Sequence, residues 1–284
     1  MPKLSIITVN FNDKNGLIDT AKSVVAQTWT DYEWIIIDGG STDGSVDVIK
    51  EYADKTDKLA YWCSESDGGI YQGMNKGIEK AKGKYCWFLN SGDYAYKNTS
   101  LEEIFMNNFD EDIIYGNVIY TQDVKTFNAK QMFYYAQKKY RGKLSLLYSL
   151  ANGVPQHQAT LIKRKLFDKY GSYNLNFRII ADRVFFMNVL FVNKVSYKYV
   201  PVVFAMHNCS GVSKQLGNKI KKREESKKMI ALLFPNSFSR IVFTYLCALF
   251  APFVKIKNAT DKFLRYGLKD TFLYYLTKLN LFKV

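Results

Sequence analysis

The 284-residue chain is short of several things at once, and each shortage removes a class of protein. It has four cysteines, Cys63, Cys86, Cys209 and Cys247, with no Cys-x-x-Cys spacing. A disulfide framework is therefore not expected, and scattered thiols in a chain this long fit a reducing cytoplasm. Five prolines and 48% hydrophobic residues argue against disorder. The two histidines form no evident Ser-His or Cys-His pair, so a covalent nucleophile is not expected. The apolar run Ile241–Val254 is 14 residues and contains Pro252, whereas a membrane span needs about 20. The start, Met-Pro-Lys-Leu-Ser-Ile-Ile, enters a strand directly, and no signal peptide is expected. There is no internal repeat. Acids are scarce too: 26 Asp/Glu against 40 Lys/Arg leave a formal charge of +14.

Aromatics are plentiful, with 21 Tyr and 20 Phe, and the length allows one large domain or a domain with an extension. The most informative stretch is Lys84–Asp93, where the apolar run Tyr85–Leu89 is stopped by Asn90, Ser91 and Gly92 and followed by Asp93. Such a run suits a central strand covered on both faces. Asp93 then falls at the carboxyl end of a strand, where open α/β sheets bind ligands, and Gly92 lets a ligand approach the backbone. A carboxylate there suits a divalent cation carrying a diphosphate. It also suits a turn that merely caps the next helix.

The same pattern recurs along the first 90 residues. Strands are predicted at Leu4–Val9, Trp34–Asp38 and Leu59–Cys63, with helices at Gly16–Gln27, after Ser45, and at Ile70–Ala81. Strand–helix alternation implies a parallel sheet of right-handed βαβ units. The acids Asp38, Asp67 and Asp93 should then share one sheet edge, an arrangement that needs cations or hydrogen-bond donors. Further on, strands are predicted at Ile113–Tyr120, after Gln156 and at Val195–Val203, with helices at Lys163–Tyr170 and Val184–Phe191. Residues 121–150 show no clean period, and His207–Ser213 reads as a loop.

The ordered set of motifs resembles glycosyltransferase family 2, the inverting enzymes with the GT-A fold. The matching residues are Leu4–Asn12, Gln27-Thr28, Ile35–Ser45, Glu65–Tyr71 with Met74–Gly77, Phe88–Asp93, His157–Thr160, Ala181-Asp182 and Ser210–Ser213. The similarity is to bacterial enzymes that build surface polysaccharides and lipid-linked glycans. It implies an α/β fold, a mixed and mostly parallel central sheet flanked by helices, over residues 1–213. The activity implied is hexosyl transfer from a nucleotide-diphosphate sugar, UDP-linked, to a glycan or lipid-linked acceptor. In that reading Thr8, Val9, Asn10 and Phe11 hold the nucleotide, with Phe11 on the base. Asp38 contacts the nucleoside, and Asp67 and Gly68 line the base and ribose pocket. Gly92 lies against the donor, Asp93 binds Mg²⁺ or Mn²⁺, Asp182 is the base, and His157 and His207 line the acceptor or diphosphate side. Many relatives carry a second acid where this chain has Gly39 and Gly92, so the metal motif is expected to supply Asp93 alone.

The chemistry accounts for these residue types. A departing diphosphate needs its charge neutralised, and a cation completed by phosphate oxygens and water needs few protein carboxylates. An attacking hydroxyl needs a base, commonly a carboxylate contributing about 10²–10⁴-fold. Direct attack inverts the anomeric centre without an enzyme nucleophile. Bland alternatives remain open for each residue: an N-cap for Asp182, a turn former for Asp67, core packing for Phe11, structural roles for both histidines.

The remaining feature is charge. Residues 214–284 hold 15 Lys/Arg and 4 Asp/Glu, so +11 of the +14 lies there. Lysines interleaved with Phe263, Tyr266, Phe272, Tyr274 and Tyr275 suit interfacial helices on an anionic leaflet, and helices packed on the core are the competing explanation. The expectation is a peripheral enzyme on the cytoplasmic face of the inner membrane, with no nucleic-acid partner. Two rivals stand beside it, a sugar-phosphate nucleotidyltransferase and a non-enzymatic binder acting through its basic tail.

Overall fold

In a computed structural model, residues 1–121, 133–135, 154–208 and 218–236 are described. The expected tail helices after 236, the Ser210–Ser213 motif, and Cys209 and Cys247 lie outside them. One compact unit comprises Met1–Lys139 and Pro155–Leu233; a second comprises Tyr140–Val154 and Phe234–Val284.

The first unit is an α/β structure around one mixed sheet. Its strands are β1 (Leu4–Asn10), β2 (Tyr32–Asp38), β3 (Leu59–Ser64), β4 (Tyr85–Phe88), β5 (Tyr94–Ala95), β6 (Ile113–Thr121), β7 (Phe133–Tyr135), β8 (Thr160–Lys163) and β9 (Tyr197–Asn208). Their order is β3-β2-β1-β4-β8-β6-β9-β5, with β7 on β6. The segment β3-β2-β1-β4 is parallel, as the alternation predicts. Strand β8 then runs antiparallel between β4 and β6, while β9 is parallel to β6 and antiparallel to β5.

Helices α1 (Lys14–Val25), α2 (Ser45–Lys55) and α3 (Ile70–Lys80) connect the parallel strands. Leu17, Ala21 and Val24 of α1 join Leu4, Ile6, Trp34 and Trp87 in one buried cluster. Ile7 and Val9 point to the other face and meet α3. A Cβ on Gly73 would fall 2.7 Å from a Val9 methyl, so only glycine lets α3 lie this close. Both faces are covered, which is why the strands read as unbroken apolar runs. Each fully buried aliphatic side chain there contributes about 1.5–3 kcal/mol.

Element ends follow local chemistry. Asp13 caps α1 by accepting from Gly16 N at 3.1 Å. At α2 Ser45 is the first helical residue. Asp43 Oδ1 accepts from its N–H at 3.0 Å and its hydroxyl at 2.6 Å, because a carboxylate two residues back reaches both donors. The later helices are α4 (Ser100–Phe105), α5 (Lys165–Tyr170), α6 (Ala181–Met187) and α7 (Asn218–Leu233). A π-turn, Asn188–Val192, extends α6. Strand β9 runs past the predicted end at Val203, because its ladder with β6 continues through Tyr120↔His207 and Thr121↔Asn208. His207 is thus a strand residue, a correction to the expected loop. Among the described residues no helix is long and apolar enough to cross a membrane.

Candidate active site

The carboxyl ends of β1, β2 and β3 are tied together side by side, with Asn10 opposite Asp38 and Asp38 opposite Ser64. Asp38 is wholly buried. Its Oδ1 accepts from Asn10 Nδ2 and Ser41 Oγ, each at 2.6 Å. Its Oδ2 accepts from Ser64 Oγ at 2.6 Å and from the N–H groups of Ser41 and Gly40 at 2.8 and 3.2 Å. Burial raises the Asp38 carboxyl pKa, but the Ser41, Ser64 and Asn10 hydrogen bonds outweigh it and hold the value below 3.8.

The β1 loop behaves unevenly. Thr8, Val9 and Asn10 are buried. Thr8 donates to the Leu89 carbonyl at 2.8 Å and accepts from Trp34 Nε1 at 3.0 Å, so its side chain belongs to the core. Asn10 Oδ1 accepts from Ser91 Oγ at 2.7 Å, joining the β1 end to the turn after β4. Phe11 is 65% exposed, which removes the core-packing reading. Its ring lies 3.2 Å from where a Cβ on Gly39 would stand, with Asp67 Oδ1 at 3.5 Å from the same point. A larger residue at 39 would crowd both. Asp67 Oδ1 accepts from Gly69 N at 2.8 Å, and Gly68 N donates to Gln72 at 2.7 Å. The other oxygen, Oδ2, is buried with no hydrogen-bond donor among the described residues.

The turn after β4 is pinned from α1. Thr20 Oγ1 donates to the Asp93 carbonyl at 2.7 Å and accepts from Gly92 N at 3.1 Å. Gly92 has φ +84°, a left-handed conformation that disfavours a side chain there. Asp93 is buried, and its Oδ1 accepts from His207 Nδ1 at 2.7 Å. The β5–β9 register brings them together: Tyr94 faces Met206, so the preceding Asp93 faces His207. Gln158 Nε2 lies 3.2 Å from Asp93 Oδ2 and 3.0 Å from the same ring nitrogen. Asp93 and His207 are the side chains that could take a divalent cation; no group of three or more His, Cys, Asp or Glu gathers for one among the described residues.

Asp182 stands in the first turn of α6 and is not its N-cap, which is Ile180. Its side chain is 23% exposed. Oδ1 accepts from Tyr71 OH at 2.8 Å, and Oδ2 lies 3.3 Å from His157 Nδ1. His157 Nε2 sits 3.5 Å from Asn90 Nδ2, so the network places the proton on Nδ1 and the acceptor toward Asn90. Burial raises the Asp182 carboxyl pKa, yet the hydrogen bonds from His157, Tyr71 OH and Arg183 N–H together keep it below the usual carboxylate range. Cys86 is a poor alternative nucleophile: burial pushes its thiol up to about 12.

The two histidines therefore divide: His207 serves Asp93, and His157 serves Asp182. The short 3₁₀ turn His157–Ala159 reaches both acids, His157 toward Asp182 and Gln158 toward Asp93. Tyr71, Gln158, Asn90, Ser41 and Ser64 carried no assigned role in the sequence reading. All but Ser64 lie inside the matching motifs, and motif membership was the available signal.

Comparison with known proteins places this geometry. The glycosyl transferase family 2 model matches residues 5–171. A PGL/p-HBAD biosynthesis glycosyltransferase of Mycobacterium bovis is 29% identical over 231 residues, 80% of this chain and 84% of that one. S. aureus TarS 1–349 in complex with UDP superposes with a TM-score of 0.62 at 16% identity, covering 94% of this chain and 76% of that chain. The mannosyltransferase PcManGT from Pyrobaculum calidifontis, in complex with GDP-Man and Mn²⁺, gives 0.62 at 14% identity, covering 99% and 81%. The solved structures carry the fold, which is GT-A. The family match runs from β1 to the end of α5 and takes in the Asp38, Asp67 and Asp93 loops, and by it the chain belongs to glycosyl transferase family 2.

Proposed function

We propose that this family 2 glycosyltransferase moves a hexose from a UDP-linked donor to a hydroxyl of a glycan or lipid-linked acceptor, with inversion and with Asp182 as base. The observation that carries the reading is the 3₁₀ turn that holds Asp93 and Asp182 through consecutive residues, Gln158 and His157. A leaving-group acid and a base acid must be fixed relative to one another, because one faces the diphosphate and the other the attacking hydroxyl. Asp182, ionised and partly exposed, takes the acceptor proton; His157 and Tyr71 fix the carboxylate's direction. The nucleotidyltransferase and pure tail-binder readings find no support in the family match.

On the donor side, Phe11 stacks on the base, and Asp67 Oδ2 accepts a base N–H, which would satisfy its buried oxygen. Gly68 and Gly92 admit the donor backbone-close. Asp38 acts indirectly: its donors fix the Gly39–Ser41 turn and, through Asn10, the turn at Ser91. One carboxylate and one imidazole, Asp93 and His207, fit Mn²⁺ or Mg²⁺ whose other positions go to diphosphate oxygens and water. The cation would neutralise charge on the departing diphosphate. UDP with TarS, and GDP-Man with Mn²⁺ in PcManGT, support this class of ligand.

The test is a thermal-shift panel of UDP and GDP, each with Mn²⁺ and Mg²⁺. At 100 times its Kd a nucleotide–metal pair should stabilise the chain by about 2.7 kcal/mol. UDP should act with metal, and Asp93→Ala should abolish the metal-dependent part. A shift with GDP alone would overturn the uridine assignment; an undiminished shift in Asp93→Ala would overturn the metal assignment.

We further propose that the basic segment 214–284 places the catalytic domain on the cytoplasmic face of the inner membrane. The support is the +11 charge of that segment. Binding to anionic vesicles should weaken with salt and on truncation after Ser213; salt-independent binding would refute it.

A further inference from the structure

The Lys-rich helix α7 sends one acid inward. Between Lys219 and Lys228 stand five Lys, one Arg and two Glu. Glu224 is exposed, whereas Glu225 is 8% exposed and Met229, one turn on, is 1% exposed. The Glu225 carboxylate accepts three consecutive main-chain N–H groups: Arg178 to Oε1 at 2.9 Å, and Ile179 and Ile180 to Oε2 at 3.0 and 3.2 Å. These three residues lead directly into α6, whose second residue is Asp182.

Glu225 thus holds the peptide ahead of Asp182, which also lies against Tyr71. Ile179 N–H is held by Glu225, and the Ile179 carbonyl lies 3.0 Å from Tyr71 OH. The same hydroxyl is 2.8 Å from Asp182 Oδ1. Asp182 itself takes one first-turn N–H, from Arg183 to Oδ1 at 2.8 Å, and its remaining contacts go to Tyr71 and His157. Beyond Met229 the two helices line a groove of about 450 Å³, with Val184 and Phe185 of α6 on one side and Leu232 and Leu233 of α7 on the other.

We propose that Glu225 is a positioning residue that sets the direction of the Asp182 carboxylate, so that a helix C-terminal to the family-matched residues completes the active site. The proposal rests on the reading of Asp182 as base, but its geometric half is testable without turnover. The chain has two histidines, which makes its imidazole NMR spectrum a two-site probe. His157 touches Asp182; His207 touches Asp93.

In the full chain, Glu225→Gln keeps the shape but turns an NH₂ group against main-chain N–H donors. It should move the His157 ring signals, leave those of His207 in place, and lower kcat about 10–100-fold with the donor KM within twofold. Glu225→Asp, read in the same way, should give the same pattern more weakly and serves if Glu225→Gln melts. Met229→Ala loosens the same seat while keeping the carboxylate, and it should leave His157 unmoved. The proposal is overturned if His157 stays put in the Glu225 variants, if both histidines move together, or if Met229→Ala moves His157 equally. Should His157 move while kcat holds, Glu225 positions Asp182 but Asp182 is not the base.

Discussion

Asp38 and Asp182 are both acids of the candidate site held ionised against burial, and they are held in opposite ways. Asp38 is closed on itself: three neutral side chains and two backbone N–H groups take up both oxygens, and no surface remains. Asp182 is held by an imidazole and a phenol from two other elements and keeps 23% of its side chain exposed. Position in the sequence made them look alike, since each follows an apolar segment and precedes a turn or helix. What separates a latch from a base is whether the donors consume the carboxylate or aim it.

That contrast can be broken by matched substitutions. The largest expected effect is on Asp182→Asn, which should lose about 10²–10⁴-fold in turnover while UDP–metal binding persists, at about 1 kcal/mol in stability. A normal rate would remove Asp182 from the chemistry. Asp38→Asn should show the reverse weighting. An amide NH₂ facing hydroxyl and N–H donors leaves buried groups unmatched, at about 3 kcal/mol, or roughly 6–12 °C in Tm, with kcat at saturating donor retained within about tenfold. An unchanged Tm would mean Asp38 is not a latch. The smallest effect is the pH dependence. Both carboxyls lie below 3.8 when folded, so the stability they add is present above the unfolded value and lost as pH falls through the lower folded one. Acid unfolding below about pH 4 should accordingly be shallower in Asp38→Asn than in the parent; identical acid limbs would contradict the assignment.

The parallel half of the sheet was legible because its information is local. Leu4–Asn10, Tyr32–Asp38 and Tyr85–Phe88 are apolar runs with turn formers at their ends, and both faces are covered. The mixed half was not. That β8 enters between β4 and β6, and that β9 pairs with β5, depends on pairings far apart in the chain, and similarly distant contacts bring His207 to Asp93 and Tyr71 to Asp182. The motif residues themselves could be named; their partners could not. Glu225 lay furthest from view, a single inward acid in a helix whose composition reads as a solvated basic face.

The most direct measurement is rescue of Asp182→Ala by formate. Removing the carboxylate opens space beside His157 and Tyr71, on a side chain already partly exposed, where a small carboxylate can stand in for the lost base. With a nucleotide-sugar donor and its acceptor, the variant should be slowed about 10²–10⁴-fold, and formate should restore part of that turnover in a saturable way without changing donor binding. Undiminished turnover in Asp182→Ala, or a slow variant on which formate has no effect, would contradict the assignment of Asp182 as the base.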